Sequence, residues 1–91
     1  MTQITLEKPV VDFLAVLDAF ARAKKLSESR ASTYALGGGH RAASIRAGGE
    51  IGVNRMGEAL RYMSDNWPED SEIGWPDGIA RPARSKKAKG K

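Results

Sequence analysis

The 91 residues suffice for one small domain, with 41% apolar content to furnish a core and a net charge of +4 at pH 7. A chain of this size buries only about 60–65% of its unfolded surface, which leaves room for four or five short helices and not for a deep catalytic cleft. With no cysteine there is neither a disulfide framework nor a thiolate metal site. No apolar run approaches the roughly 20 residues of a membrane span, and the amino terminus lacks the apolar stretch of a secretory signal.

The charges fall in blocks. Residues 1–21 carry −2, residues 22–61 carry +5, residues 62–79 carry −5 and residues 80–91 carry +6. Positive charge therefore gathers in the middle and at the carboxyl end, where a phosphate backbone would be met. Solvated helix faces and a solubilising tail would give the same distribution.

After a lead in which Ile4 and Leu6 alternate, Pro9 suits a first helical turn. Val10, Phe13, Leu14, Leu17, Phe20 and Ala21 then recur at intervals of three and four, which predicts an amphipathic helix. Asp12 in its first turn and Lys24 and Lys25 in its last are expected to complement the macrodipole. Ser27 is a good N-cap for a second helix with Glu28 in its first turn, and Ala31, Tyr34 and Ala35 are expected to face inward. Gly37, Gly38 and Gly39 stop that helix.

A third helix of about two turns starts at Gly39 or His40, with Ala42 and Ile45 pointing inward and Gly48 and Gly49 ending it. Val53, Met56, Ala59, Leu60, Met63 and Trp67 share one side of a fourth helix, which Pro68 terminates. Two Trp-Pro pairs in the segment that follows predict an extended arm anchored by Trp67, Trp75 and Ile79. The run Ser85–Lys91 has too little apolar content to order itself. The expected layout is an all-α helix-turn-helix domain with its arm over residues 1–79, and a disordered basic tail over 80–91.

Two short helices hinged at glycines, the second with a bare outer side, are what a helix-turn-helix needs to enter a major groove. With Ile45 inward, Ala43 and Ala47 turn outward and let the backbone approach base edges, flanked by Arg41, Ser44 and Arg46. Arginine can take guanine bidentately, serine is permissive, and alanine can touch a thymine methyl. Gly38, Gly39 and His40 occupy the helix start, the end that reaches deepest. Ser27, Arg30 and Arg55 complete the expected DNA-binding set. The same small residues would equally allow another helix to pack there.

His40 has no second imidazole or thiol beside it, so no metal site is expected. The glycine triplet lacks the Lys-Ser/Thr of a P-loop and the preceding strand of a dinucleotide fold. No catalytic constellation, cofactor or small-molecule ligand is indicated, and the chain is not expected to be an enzyme.

Leu26-Ser27-Glu28, Ala31, Ala35-Leu36-Gly37, and then Ala42, Ile45 and Gly48 together resemble the phage-repressor-like (XRE, lambda-repressor-like) helix-turn-helix family, over about Val10 to Trp67. The chain is also similar to small alphaproteobacterial and prophage regulators. Three consecutive glycines stand where that family more often has Gly-hydrophobic-Ser. The resemblance implies a sequence-specific transcriptional regulator, most simply a repressor, acting as a homodimer on palindromic double-stranded DNA in the bacterial cytoplasm. The alternative is a small protein-interaction module, such as an antitoxin or an inhibitor of a DNA-binding enzyme, using the acidic stretch Asp65–Asp77.

Overall fold

A computed structural model describes residues 6–83, and among these the fold is all-helical. In chain order come α1 (Lys8–Lys24), α2 (Glu28–Leu36), α3 (Arg41–Arg46) and α4 (Val53–Asp65). The expectations for Ile4 and for the basic tail beyond Ala83 lie outside the described residues.

The first helix forms the floor. Pro9 sits in its first turn, and Phe13, Leu14, Val16, Leu17, Phe20 and Ala21 are buried along it. Asp12 falls beyond the first turn, where it pairs with Lys8 one turn earlier at 3.1 Å. Every other helix packs on α1, with α2 and α4 also touching each other. Phe20 is central: its ring lies 6.2 Å from Tyr62 edge-on and 5.6 Å from Trp67. Burial, and secondarily the neighbouring Tyr34, pushes the Tyr62 phenol above its ordinary range.

Lys25 ends α1 in the left-handed region, φ 61°. Its N–H reaches the Arg22 carbonyl at 3.2 Å and that of Leu26 reaches Ala21 at 2.8 Å, the two bonds of a Schellman cap. Glycine usually fills this position because a Cβ there costs about 1–2 kcal/mol. After about 0.5–1 kcal/mol of extra unfolded-state entropy, Lys25→Gly is expected to stabilise the fold by about 0.5–1 kcal/mol. Thermal unfolding should then shift up by roughly 2–8 °C; an unchanged or lower midpoint would show that the strain of the left-handed turn does not exceed the extra unfolded-state entropy of glycine.

Two inward assignments need correction. Tyr34 is 51% exposed, because the inward stripe of α2 runs through Ala31, Ser32, Ala35 and Leu36 instead. Val53 is 82% exposed, since it opens α4 at the edge of the apolar stripe whose centre is Ala59 and Met63.

Beyond α4 the chain takes no regular form but is held at several points. Trp67 is buried and its indole N–H donates to the Ile73 carbonyl at 2.9 Å; that of Trp75 donates to Ile79 at 2.9 Å. Arg81, grouped by sequence with the basic tail, is anchored. Its guanidinium donates to the Ser64 hydroxyl and to the Ser64 carbonyl, each at 2.9 Å, and lies 5.4 Å from the Trp75 ring. The buried Ser64 hydroxyl in turn donates to the Pro82 carbonyl at 2.7 Å. The anchored stretch thus includes Arg81 and Pro82 as well as Ile79.

Candidate nucleic-acid interface

The α2–turn–α3 unit is fixed by four local devices. At the front, the Ser27 hydroxyl accepts from the Arg30 N–H at 3.1 Å and caps α2. At the turn, Gly37 adopts φ 82°, which is why a glycine is needed there. Gly39 serves a different end: a Cβ on it would come within 2.8 Å of the Ser29 hydroxyl oxygen and 3.3 Å of Thr33 Oγ1, so its lack of side chain lets the chain cross α2 closely.

The third device is Ser32, which sequence reasoning overlooked. It is fully buried, and its hydroxyl donates to the Gly38 carbonyl at 2.6 Å while accepting from the Ala42 N–H at 3.0 Å. A helix start leaves its first N–H groups without intrahelical partners, and His40 at the N-cap position of α3 offers no side-chain bond. A serine from the middle of α2 therefore caps α3 from outside, and one hydroxyl locks both the turn and the helix start. The available signal was a small polar residue inside the inward stripe Ala31–Leu36.

The fourth device closes α3. Gly48 has φ 101°, its N–H bonds to Ile45 at 3.0 Å, and the Gly49 N–H bonds to Ser44 at 2.8 Å, again a Schellman cap. A Cβ on Gly49 would meet the Ser44 carbonyl oxygen at 2.8 Å, which explains the second glycine.

Between these fixings α3 runs for six residues, about 9 Å. Ala42 and Ile45 are 0% and 3% exposed and take the core side. At about 100° per residue that turns Ala43, Ser44 and Ala47 to the opposite side, with Arg41 on one flank; all four are exposed, as is His40 before them. Arg30, three residues into α2, is also exposed. Among the described residues no acid pairs with Arg30 or Arg41.

Three members of the sequence-derived set are otherwise occupied. Ser27 spends its hydroxyl on the cap of α2. Arg46 does not point away freely: its Nη2 and Nε lie 2.7 and 2.9 Å from the Glu28 carboxylate, and that bond is the main reason its guanidinium is held above its ordinary value. Arg55 donates to the Leu36 carbonyl at 3.3 Å, meeting an orphan acceptor at the end of α2. Gly38 and Gly39 shape the turn, half-buried.

No protein family, curated protein or solved structure matches the chain.

The Arg46–Glu28 pair calls for a test of its own. Both side chains are more than one-third exposed (43% and 37%), so water and salt screen the attraction. A double-mutant cycle with Arg46→Ala and Glu28→Ala, read by denaturant unfolding, should return a coupling of about 0.2–1 kcal/mol. A coupling well above that range would mean the pair braces α3 against α2 in a desolvated setting.

Proposed function

We propose that the chain is a sequence-specific DNA-binding transcriptional regulator of the phage-repressor-like helix-turn-helix type. It acts as a homodimer and represses by occupying a palindromic operator in the bacterial cytoplasm. The observation that carries this reading is the outer side of α3: Ala43, Ser44 and Ala47 exposed together, bordered by His40 and by Arg41, which forms no ion pair among the described residues. Small side chains let the helix backbone approach base edges while Arg41 supplies a bidentate fork for guanine. The exposed Arg30 guanidinium would meet phosphates, which fix orientation without reading sequence. The helix-turn-helix geometry and the arm that follows α4 belong to the same proposal. Half-sites would lie about one helical turn, 34–36 Å, apart.

Selection of duplexes from a random pool tests binding, symmetry and spacing together. Selected fragments should share an inverted repeat and bind with affinity that falls steeply as salt rises while a preference over scrambled duplex persists. Equal affinity for selected and scrambled duplex at every salt concentration would sink the proposal and favour the protein-interaction module.

A further inference from the structure

A cleft of about 310 Å³ opens between the end of α2, the flank of α3 and the start of α4. Leu36 and Ile45, 1% and 3% exposed, form its apolar floor together with half-buried Ile51. Arg41, Ser44, Glu50 and Arg55 stand around it. The volume lies at the small end of ligand pockets, which run from about 300 to 1,000 Å³, and the lining is more polar than is usual for them.

Its charge is unbalanced. Among the described residues neither Arg41 nor Arg55 pairs with an acid. Arg55 gives one N–H to Leu36 at 3.3 Å, which steadies the guanidinium and leaves the rest of its five-donor fork to spare. Gly52, at the N-cap of the 13-residue α4, provides no side-chain acceptor, and the first turn holds no acid. The positive end of the helix adds to the field of the two arginines. Glu50 is the carboxylate among the lining residues, and it makes no ion pair with either of them. A Cβ placed on Gly52 would meet nothing within 4 Å, so the space beside it is open.

We propose that this cleft binds a small organic anion, a carboxylate or phosphate ester carrying one apolar ring or short chain, and that occupancy withdraws Arg41 from DNA. The arginine forks take the anionic group, with the Ser44 hydroxyl as a further donor. The apolar part lies against Leu36 and Ile45 and covers half-buried Ile51, so the surface taken from water is mainly that of the ligand itself and of Ile51. Glu50 at the rim limits the ligand to modest negative charge. Arg41 would then serve both ligand and duplex, so the two compete. The regulatory half rests on the DNA-binding reading; the binding half does not.

The test uses phenyl phosphate on the DNA-free full chain, with inorganic phosphate in parallel, followed by NMR and calorimetry. Saturable shifts are expected at the Ile45 and Ile51 methyls and the Gly52 amide, with phenyl phosphate binding about tenfold or more tighter than phosphate because of its ring. Arg41→Gln and Arg55→Gln should each weaken binding by about tenfold, and Glu50→Gln should strengthen it several-fold, with unfolding midpoints confirming intact folds.

Absence of saturable shifts at those residues overturns the proposal, as does indifference to Arg41→Gln. Equal affinity for the two probes would make the cleft a seat for backbone phosphate and also overturn it. Phenyl phosphate at saturation should lower duplex affinity. If the shifts appear and duplex affinity stays the same, the regulatory half fails and the cleft stands. If the shifts appear and no duplex is preferred, it is the DNA-binding reading that fails.

Discussion

Ser32→Ala is expected to destabilise the fold by about 1–3 kcal/mol, far more than a single surface hydroxyl would. The loss is large because the hydroxyl bridges two groups that have little else. The Ala42 N–H sits at the start of α3 on a fully buried residue, and Ser32 is its acceptor at 3.0 Å. The Gly38 carbonyl keeps a longer contact, 3.3 Å, from the Arg41 N–H. Leaving a buried donor unpaired costs its full desolvation, whereas an exposed serine would exchange its partner for water. The thermal midpoint should fall by roughly 5–20 °C. Hydrogen exchange gives the sharper reading: the Ala42 amide should lose protection well before amides in the middle of α1. If Ser32→Ala changes neither the midpoint nor that amide, the hydroxyl is not the clasp that sets α3 against α2.

Placing α3 correctly matters because the charges around it are sorted by the fold. Asp70 and Glu72 share a groove with Arg22 and Lys25 at the end of α1, and Arg22 also pairs with Asp18 at 3.3 Å. Those acids thus line the same groove as the bases that end α1. Glu28 pairs with Arg46. Arg30 and Arg41 pair with no acid among the described residues, although Glu50 lines the same cleft as Arg41. Within the α2–turn–α3 unit the positive charge that pairs with no acid among the described residues is thus that of Arg30 and Arg41.

Local signals were legible and long-range ones were not. Ser27 declares itself as a cap because its partner, Arg30 N–H, is three residues away. Ala42 and Ile45 turn inward as their spacing says, and Gly48 takes the left-handed angle expected of a glycine past a helix end. Tyr34 lies outside the inward stripe that its spacing predicts because α2 is only nine residues long. Over so short a helix a stripe through Ala31 and Tyr34 and one through Ala31, Ala35 and Leu36 fit nearly equally well. What selects the second is Ser32, whose polarity hides its burial until its two partners are seen. Arg46 and Arg55 find their partners 18 and 19 residues away. No periodicity within a helix encodes such pairs, and the cleft that Arg55 helps to frame is equally invisible in the chain order.

Arg41→Ala is expected to weaken binding to the preferred duplex by about 1–3 kcal/mol, a factor of roughly 5 to 150. The fold should be untouched, since the side chain is exposed and among the described residues holds no acid. Arg30→Ala provides the contrast. Its backbone N–H, not its guanidinium, engages the Ser27 cap, so the substitution leaves α2 capped and removes only an exposed charge. If Arg30 meets phosphate, its loss should weaken all duplexes alike and reduce the salt slope by about one. Loss of Arg41 should instead narrow the gap between preferred and scrambled duplex, because a base contact carries the discrimination and a phosphate contact does not. Anisotropy titrations at two salt concentrations separate the cases. Should Arg41→Ala weaken both duplexes by the same factor, Arg41 touches backbone only, and sequence reading would have to rest on His40 and Ser44.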